Sequence, residues 1–481
     1  MPNDIAASQR AIDKKKQATV FEQRLGFLAS SGLATSLTRL QRGIEKEGLR
    51  VTEEGLLAQT PHPAGLGSAL TNGWVTTDFS EALLEFITPV RESNQGTLDY
   101  LAEAHAVAAQ RIDNEAIWAA SMPCILPPDD QIPLAQYGSS NIAKMKTVYR
   151  RGLGHRYGRA MQTVAGIHYN FSMPNSYWQL ERANRELFAP IDPTIEQQDE
   201  SQTAYIDRRY LDLIRNFRRD YWLLIYLFGA APCVDKSFVN GRAHNLQSLS
   251  NGDLYRPHAT SLRMGDLGYQ SIAQKSLFIC YNELDSYIST LSAAMHTPYP
   301  EYEQYGLEVN GEYQQLSCSL LQIENEFYSP IRPKRSTEAG EKPLHALDSR
   351  GIQYIEVRCM DINPFLPLGI DEVTSKFIDA FLISCLIKPS VACDEAESQA
   401  IAENQSRVVN HGRAPELHLV NGPTETALRA LALEKLTVIE AVAKILDSAH
   451  GDDGSNSSYF HSVKAQLKKI EDPSLTPSAQ L

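Results

Sequence analysis

Five short segments of the chain alternate between apolar and polar residues. One set of alternate positions carries Ile, Leu, Val or Phe, and the other carries mostly Glu. Successive side chains of a β-strand point to opposite faces, so this period of two predicts strands that are buried on one face. The segments are RGIEKEGLRV (42–51), EALLEFITPV (81–90), AGIHYNFSM (165–173), QIENEFYSP (322–330) and YIEVRCMDI (354–362).

Longer segments carry apolar residues at three- and four-residue spacing, which predicts amphipathic helices. These helices are predicted over 97–117, 204–228, 272–296, 372–388 and 425–448. The most apolar run, Tyr221 to Val234, is shorter than the roughly 20 residues that a membrane span needs. It predicts a buried helix that leads into a turn. The Ser- and Pro-rich tail after Asp472 is expected to be loosely held.

The polar faces of the five predicted strands are dominated by carboxylates, whereas an ordinary solvent face mixes Lys, Thr, Ser and Gln. The groups predicted to share a face are Glu45 with Glu47, Glu81 with Glu85, His168 with Asn170, Glu324 with Glu326, and Tyr354 with Glu356 and Arg358. Neighbouring carboxylates repel each other unless a cation lies between them. This pattern therefore indicates a place where cations are bound.

Clustered carboxylates with one imidazole predict a site for hard divalent cations, Mg²⁺ or Mn²⁺. Magnesium usually keeps few protein carboxylates and binds substrate phosphates as well, so five or six carboxylates suggest several ions that bridge a nucleotide. Taken alone, Glu45 and Glu47 could form a solvated face, His168 could be a hydrogen-bonded core residue, and Arg358 could pair with Glu356. The repetition over five strands favours the metal site.

The chain contains neither of the common glycine loops for nucleotides, GxxxxGK[ST] or GxGxxG after a strand. If the protein binds ATP, metal ions and cationic side chains must hold the phosphates. The candidates are Arg358 and the basic residues of IRPKR (331–335), including Lys334. A sheet that holds nucleotide through metals and arginines is the arrangement of glutamine synthetase.

Composition narrows the function classes. The chain has 481 residues and a formal net charge of −13, which argues against nucleic acid as a partner because phosphates would be repelled. Its seven cysteines show no paired or zinc-like spacing, and the N-terminal residues have no apolar signal core. These features predict a cytoplasmic protein with reduced thiols and no membrane association.

Seven longer motifs closely resemble those of the proteobacterial glutamate–cysteine ligases, which carry out the first step of glutathione synthesis. They are QRGIEKEGLRV, LTNGWVTTDFSEALLEFITP, QYGSSNIAKMKTVYRRGL, MQTVAGIHYNFS, ATSLRMGDLGY, LQIENEFYSPIRPKR and YIEVRCMDINPF. The resemblance runs from about residue 36 to the end of the chain. It implies an α+β fold of the glutamine synthetase type, with a curved, mainly antiparallel β-sheet funnel backed by helices. Residues 20–395 are then expected to form the catalytic domain, and 396–481 a C-terminal helical extension packed on it.

The resemblance also implies roles for individual residues. The implied metal ligands are Glu45, Glu47, Asp78, Glu85, His168 and Glu356. Arg358 is expected to contact the transferred phosphoryl group, and Lys334 to help bind ATP. The implied cysteine pocket is lined by Phe79, Tyr149, Leu153, Gln162, Arg263, Tyr269 and Tyr328. Arg263 could pair with a substrate α-carboxylate, since its guanidinium forks onto carboxylates.

The activity implied is ATP-dependent ligation of the L-glutamate γ-carboxylate to the L-cysteine amino group through a γ-glutamyl phosphate. Two or three Mg²⁺ or Mn²⁺ ions would assist, and the protein is expected to be a monomer. Two alternatives stay open. One is a ligase with another amine acceptor, because the acidic faces dictate metal and ATP but not the amine. The other is a catalytically silent binding or regulatory homologue, suggested by a C-terminus shorter than in the resembling enzymes.

Overall fold

Four of the five predicted acidic strands lie together in one antiparallel sheet. The computed structural model describes residues 2–30, 32–190, 200–268, 273–274, 277–338, 340–452 and 458–481, with side chains from Lys15 onward. Among these residues, seven strands form the main sheet in the order β11-β12-β5-β1-β3-β2, with β4 paired to β1. Their bounds are β1 (Gln41–Val51), β2 (Val75–Thr77), β3 (Leu83–Ile87), β4 (Ala116–Ile117), β5 (Ile167–Ser172), β11 (Ile331–Lys334) and β12 (Tyr354–Met360).

Smaller two- and three-stranded sheets complete the β-structure of the described residues. They contain β6 (Cys233–Val234), β7 (Gln247–Ser248), β8 (Leu254–Tyr255), β9 (Glu308–Val309), β10 (Glu312–Tyr313), β13 (His418–Asn421) and β14 (Thr424–Ala427). All strand pairs in the main sheet are antiparallel. The sheet remains open, and the prediction of an α+β fold with a mainly antiparallel sheet backed by helices is confirmed.

Helices pack against the apolar face of the sheet. The helices are α1 (Pro2–Leu28), α2 (Ala34–Leu37), α3 (Asn94–Ala109), α4 (Asn141–Tyr157), α5 (Asn175–Ala183), α6 (Gln202–Asp220), α7 (Trp222–Phe228), α8 (Lys236–Val239), α9 (Leu284–His296), α10 (Pro300–Glu303), α11 (Pro343–Arg350), α12 (Glu372–Ile387), α13 (Glu395–His411), α14 (Leu428–His450), α15 (Tyr459–Glu471) and α16 (Pro477–Gln480). Within the described part of the chain, none is long and apolar enough to span a membrane.

Strand register places the acidic side chains side by side. Glu45 on β1 is opposite His168 on β5, and Glu47 is opposite Glu85 on β3. On the other side of β5, Asn170 is opposite Glu356 of β12. Since alternate residues share a face, this register collects the polar positions on one side of the sheet and leaves the apolar positions for the helices.

The prediction of a strand over 322–330 is wrong. Residues Glu324–Glu326 form a 3₁₀ turn, and the strand begins only at Ile331. The carboxylate of Glu326 is buried and accepts hydrogen bonds from the Gln322 backbone N–H at 2.6 Å and from Arg156 at 2.9 Å. The bond to the backbone of Gln322, four residues earlier, closes a turn, so Glu324 and Glu326 do not belong to the acidic sheet face.

Glu81 also lies outside the acidic face, because β3 begins at Leu83. Its carboxylate accepts the backbone N–H groups of His62 at 3.0 Å and Gln136 at 2.7 Å. Glu81 therefore fastens two loops, and the prediction that it shares the face of Glu85 is wrong.

Two predicted helices are shorter than expected. The helix predicted over 97–117 ends at Ala109, and Asp113 adopts a left-handed backbone conformation with φ 48°. The helix predicted over 272–296 begins at Leu284. Just before it, Arg215 donates to the carbonyl groups of Tyr281 and Asn282 at 2.8 and 3.0 Å. Those carbonyls are occupied by a side chain and do not take part in a helix.

The other predicted helices agree more closely with the structure. The segment 204–228 forms α6 and α7 with a break at Tyr221, and 372–388 corresponds to α12. The predicted helix 425–448 begins at Leu428, because the preceding residues form β14. The tail after Asp472 is not loosely held: it forms a short helix, and Thr476, Pro477 and Ser478 are buried.

Candidate active site

A cavity of about 360 Å³ lies over the polar face of the main sheet. It is lined by all the predicted metal ligands, by the two predicted phosphate-binding cations and by most residues of the predicted cysteine pocket. These lining residues are Glu45, Glu47, Asp78, Phe79, Glu85, Tyr149, Leu153, Gln162, His168, Tyr328, Lys334, Glu356 and Arg358. The cavity is therefore the candidate active site.

Three ligand-type side chains converge at the centre of the sheet. One donor atom from each of Glu45, His168 and Glu356 lies within 4.8 Å of the others. His168 Nδ1 is 3.3 Å from Glu45 Oε2, and Asn170 Nδ2 donates to the other oxygen of Glu45 at 2.9 Å. The three donors come from β1, β5 and β12, so their spacing is fixed by the register of neighbouring strands.

Two cations flank the carboxylate of Glu356. Arg358 Nη1 donates to Glu356 Oε2 at 3.0 Å, and Lys334 Nζ lies 3.5 Å from Oε1. Burial favours the neutral acid, but the charges of Lys334, Arg358 and His168 outweigh burial and hold the pKa of Glu356 well below its usual range. This side of the cavity consequently combines a firmly ionised carboxylate with two positive charges.

The opposite side of the cavity carries the carboxylates Glu47, Asp78 and Glu85. Burial, followed by the charges of Glu45, Asp78 and Glu47, raises the pKa of Glu85 well above its usual value. Burial also raises the pKa of Glu47, whose Oε2 accepts the backbone N–H of Gly166 at 2.6 Å. Each of these carboxyls resists ionisation chiefly because it is buried, and the negative neighbours of Glu85 add to the effect there.

The donor set fits a divalent cation. The Nε2 atom of His168 is buried and has no hydrogen-bond partner among the described residues, and Glu47 Oε1 is 3.8 Å away. An unpartnered buried imidazole nitrogen normally costs free energy, and a metal ion would complete its coordination. Glu45, His168 and Glu356 could hold one ion, and Glu47, Asp78 and Glu85 line the same cavity beside them.

The remaining wall of the cavity is aromatic and amide-bearing. Phe79, Tyr149, Leu153, Gln162 and Tyr328 lie together there, as the resemblance implies. Gln162 Nε2 donates to the Tyr328 hydroxyl at 2.9 Å, which fixes both side chains. Burial raises the pKa of Tyr149 well above its usual value, so its hydroxyl stays protonated and can donate a hydrogen bond.

Arg263 does not line the cavity. Its side chain is buried behind the wall, where Nη1 is 3.4 Å from Asp361 Oδ1 and Nη2 donates to the Arg358 carbonyl at 3.1 Å. A Cβ atom at Gly166 would lie 2.0 Å from Nη2, so only glycine leaves room for this arrangement. Arg263 thus supports the backbone of Arg358. The predicted pocket member Tyr269 lies outside the described residues.

Three polar lining residues were not predicted from the sequence: Lys146, Arg150 and Asn325. Arg332 also lines the cavity and is one of the basic residues of IRPKR that were predicted as phosphate-binding candidates. Lys146 and Arg150 belong to α4, which also carries Tyr149 and Leu153. Positions 146, 149, 150 and 153 follow the i, i+3, i+4, i+7 spacing of one helix face. That periodicity in KMKTVYRRGL would have placed both cations on the cavity wall once Tyr149 and Leu153 were assigned to it.

A second cavity, of about 700 Å³, opens at the other end of the central strands. It shares Glu45 with the acidic cavity and is bordered by residues at the start of β1, the end of β5 and the start of β12. Arg335 and Arg350 lie on its wall, together with apolar side chains such as Met173 and Ile352. The two cavities therefore approach each other at the centre of the sheet.

Comparison with known proteins agrees with this arrangement. The family model described as glutamate-cysteine ligase matches residues 25–408. The chain belongs to the glutamate–cysteine ligase family. Among the curated glutamate–cysteine ligases, that of Alcanivorax borkumensis is 49% identical over 465 residues, which cover 96% of this chain and 86% of the relative. The ligase of Pseudomonas putida strain W619 is 50% identical over 462 residues, 96% of this chain and 85% of the relative.

A solved structure extends the family comparison to the fold. The glutamate–cysteine ligase of Francisella tularensis in complex with AMP superposes with a TM-score of 0.83 at 38% identity, covering 92% of this chain and 84% of that chain. The recognition of this family from the seven motifs is confirmed. Family members are carbon–nitrogen ligases, which agrees with a site that joins carboxylates, cations and a pocket for an amino acid.

Proposed function

We propose that this protein catalyses the ATP-dependent ligation of the γ-carboxylate of L-glutamate to the amino group of L-cysteine. The products are γ-glutamylcysteine, ADP and phosphate, and the reaction is the first step of glutathione biosynthesis. One observation carries the proposal: in a member of this family, a single cavity joins Lys334 and Arg358 to the acidic sheet face and to the aromatic pocket.

The reaction needs ATP because a carboxylate is a poor electrophile and oxide is a poor leaving group. An oxygen of the γ-carboxylate first forms a bond to the terminal phosphorus of ATP, and the bond from that phosphorus to ADP breaks. The cysteine amine then attacks the carbonyl carbon of γ-glutamyl phosphate. Phosphate leaves with the former carboxylate oxygen, and the amine releases one proton.

Arg358 and Lys334 are placed to stabilise the phosphoryl group during its transfer. Both flank Glu356, so their charges are held at one point of the cavity wall before substrate arrives. A guanidinium that is already oriented needs no reorganisation when negative charge shifts between the oxygens, which is why such donors accelerate the reaction. The Arg358 backbone is in turn held by Arg263.

The second cavity is proposed to admit the nucleotide. It is wider than the acidic cavity and meets it at Glu45, so a triphosphate could extend from it toward Lys334 and Arg358. Arg335 and Arg350 at its wall would face the polyphosphate or ribose, and its apolar wall would receive the base. ATP and the amino acids would then approach the reaction centre from different ends of the strands.

We further propose that Mg²⁺ or Mn²⁺ ions occupy the acidic face, with Glu45, His168 and Glu356 holding one ion. Glu47, Asp78 and Glu85 would hold a second ion, and a third could be shared with phosphates. Bound metal would supply positive charge that offsets the charge of the triphosphate and of the carboxylates. The protein's own side chains already orient two of these ligands. His168 and Asn170 hold the carboxylate of Glu45, and Lys334 and Arg358 hold that of Glu356.

The cysteine pocket is proposed to be formed by Phe79, Tyr149, Leu153, Gln162 and Tyr328. Its aromatic and aliphatic members suit the small, weakly polar CH₂–SH side chain of cysteine. The hydroxyls of Tyr149 and Tyr328 can donate hydrogen bonds to the cysteine carboxylate. The predicted cytoplasmic location and monomeric state stay predictions.

The activity is tested by incubating the purified chain with L-glutamate, Mg-ATP and a panel of amines that includes cysteine, serine, alanine and ammonia. We expect γ-glutamylcysteine and equimolar phosphate, with the highest kcat/KM for cysteine. If another amine is turned over faster than cysteine, that amine is the acceptor and the assignment of cysteine is wrong. Phosphate release at background level with every amine would instead favour the catalytically silent homologue.

A further inference from the structure

Five cationic side chains line the acidic cavity: Lys146, Arg150, Arg332, Lys334 and Arg358. Lys334 and Arg358 are paired with Glu356. The other three are Lys146, Arg150 and Arg332. In the part of the chain that the structure describes, the two arginines donate hydrogen bonds to backbone carbonyl groups, whereas the Lys146 ammonium does not.

Arg150 and Arg332 are committed to backbone carbonyl groups. Arg150 donates to the carbonyls of Asp78 and Lys146, the latter at 3.0 Å, and its guanidinium lies 4.7 Å from the centre of the Tyr137 ring. Arg332 donates to the carbonyls of Asn325 at 3.0 Å and of Phe327. Both arginines therefore hold the cavity wall in place.

Lys146 has a different environment. Its ammonium lies 5.1 Å from the centre of the Tyr137 ring. Among the described residues, no carboxylate oxygen lies within 4 Å of Nζ, and no hydrogen bond from Nζ is formed. The side chain is half-buried and faces the cavity one helical turn from Tyr149 and Arg150. The Glu85 carboxylate attracts this ammonium from beyond ion-pair distance, so the N–H donors of Lys146 are not used and can bind an anion.

We propose that the Lys146 ammonium binds the α-carboxylate of an amino-acid substrate. This inference rests on the proposed function, which supplies two such carboxylates, one on glutamate and one on cysteine. A substrate carboxylate suits Lys146 better than the triphosphate does, because the helix face that carries Lys146 also carries Tyr149 and Leu153 of the amino-acid pocket. The phosphate-binding pair Lys334 and Arg358 lies on β11 and β12 instead.

The test compares each amino acid with its α-amide, in which the carboxylate charge is removed and the shape is kept. One arm measures kcat/KM for glutamate and for its α-amide, and the other arm measures kcat/KM for cysteine and for its α-amide. The measurements are made on the wild type, on Lys146→Gln and Lys146→Met, and on Lys144→Gln as a control. Lys144 lies on the same helix but is exposed to solvent and does not line the cavity.

We expect the wild type and the Lys144→Gln variant to prefer the acid over the amide. In the two neutral Lys146 variants that preference should fall about 10- to 100-fold for one substrate, as for the loss of one charge-assisted hydrogen bond. A fall confined to glutamate assigns the glutamate carboxylate to Lys146, and a fall confined to cysteine assigns the cysteine carboxylate. Lys146→Arg should retain most of the preference.

The proposal is overturned if both acid-to-amide ratios in the Lys146 variants equal those of the wild type, even when overall rates fall. A wild type without any preference for the acid overturns it as well. If the wild type forms no γ-glutamyl product from any amine, the proposed function itself fails. The two failures are therefore distinguishable.

Discussion

Glu47 on β1 and Glu85 on β3 are direct partners in the antiparallel register of the main sheet. Both side chains face the acidic cavity, where Asp78 and Glu45 are their neighbours. Like charges directly opposite each other destabilise a sheet. Burial raises the pKa of both carboxyls here, and the charges of Glu45, Asp78 and Glu47 raise that of Glu85 further. The arrangement is unfavourable for the protein alone and becomes favourable when a cation neutralises it.

Replacement of Glu85 by Gln should therefore have opposite effects with and without divalent cations. In EDTA, we expect the variant to be more stable than the wild type by about 1 kcal/mol, because one repelling group is removed. In saturating Mg²⁺, the wild type should gain stability by mass action, about 2.7 kcal/mol at 100 times the Kd, and the variant should gain less. Denaturant unfolding in the two conditions measures this crossover.

The exposed Glu53, which lies outside the cavity, provides the control. Glu53→Gln should follow the wild type in both conditions. A Glu85→Gln variant that is less stable than the wild type in EDTA, with the same gain from Mg²⁺, would contradict the account of the acidic face.

Arg358→Lys should lower kcat by about 10²–10³, because lysine keeps the charge but cannot reproduce the fixed guanidinium geometry beside Glu356. The KM for cysteine should change little, since the predicted cysteine pocket is on another wall. Steady-state kinetics with each substrate varied in turn measures both constants. The exposed Arg429 offers a matched substitution, and Arg429→Lys should behave as the wild type. A normal kcat for Arg358→Lys would remove Arg358 from phosphoryl transfer.

Gly166→Ala should disturb the active site by displacing Arg263, which lies behind the cavity wall. Its Cβ would meet Arg263 Nη2 at 2.0 Å, so the guanidinium that supports the Arg358 carbonyl must move. We expect a loss of about 1–3 kcal/mol in the free energy of unfolding and a large fall in kcat. Gly26 lies in α1 and has open space where an alanine Cβ would be, with nothing within 4 Å of that point. Gly26→Ala should therefore leave kcat unchanged and raise stability by roughly 0.5–1 kcal/mol.

Equal stability and activity of Gly166→Ala and the wild type would show that Arg263 can be displaced without consequence. A crystal structure of Gly166→Ala in which Arg263 keeps the position described above would also contradict the steric argument.

Lys469 on α15 lies where the predicted C-terminal extension packs on α7, so the pH dependence of unfolding reports on that packing. Its Nζ donates to the Leu227 carbonyl near the end of α7 at 3.0 Å and lies 4.7 Å from the centre of the Phe228 ring. Burial lowers the pKa of Lys469 to about 8. The folded state therefore favours the neutral amine, and this contribution to stability is present above the unfolded pKa of about 10.5 and is lost as the pH falls through 8.

Between pH 8 and pH 9.5 the wild type should gain about 1.5 kcal/mol of stability relative to Lys469→Met, because only the wild type releases this proton on folding. Urea unfolding of both proteins at several pH values gives the difference, in which all shared ionisations cancel. Parallel pH profiles would mean that α15 does not bury Lys469 against α7.

The sequence predicted the acidic face because β-structure has a simple period. In β1, β3, β5 and β12, alternate side chains pack against the helices on one face and line the cavity on the other. The period of two was therefore enough to group the cavity-lining residues Glu45, Glu47, Glu85, His168 and Glu356. The period failed at 322–330, where the Glu326 carboxylate bonds to Gln322, Arg156 and Tyr157. Gln322 is a local partner, but Arg156 and Tyr157 are distant in sequence, and no local pattern reveals them.

The cationic wall was harder to predict for a related reason. Lys146 and Arg150 lie on a helix that reads as an ordinary basic surface segment, and only the cavity shows which face is turned inward. Arg263 was expected in the substrate pocket, and its position behind the wall depends on Gly166 and Asp361, which are distant in sequence. Sequence patterns locate chemistry on an element, whereas contacts between elements decide what each side chain touches.

The central claim is that the γ-carboxylate of glutamate is activated by direct phosphorylation at this site. Glutamate labelled with ¹⁸O in its γ-carboxylate tests it most directly, by mass analysis of the phosphate released with cysteine and Mg-ATP. The account predicts one ¹⁸O atom in phosphate for every γ-glutamylcysteine formed. Unlabelled phosphate released together with γ-glutamylcysteine would contradict it.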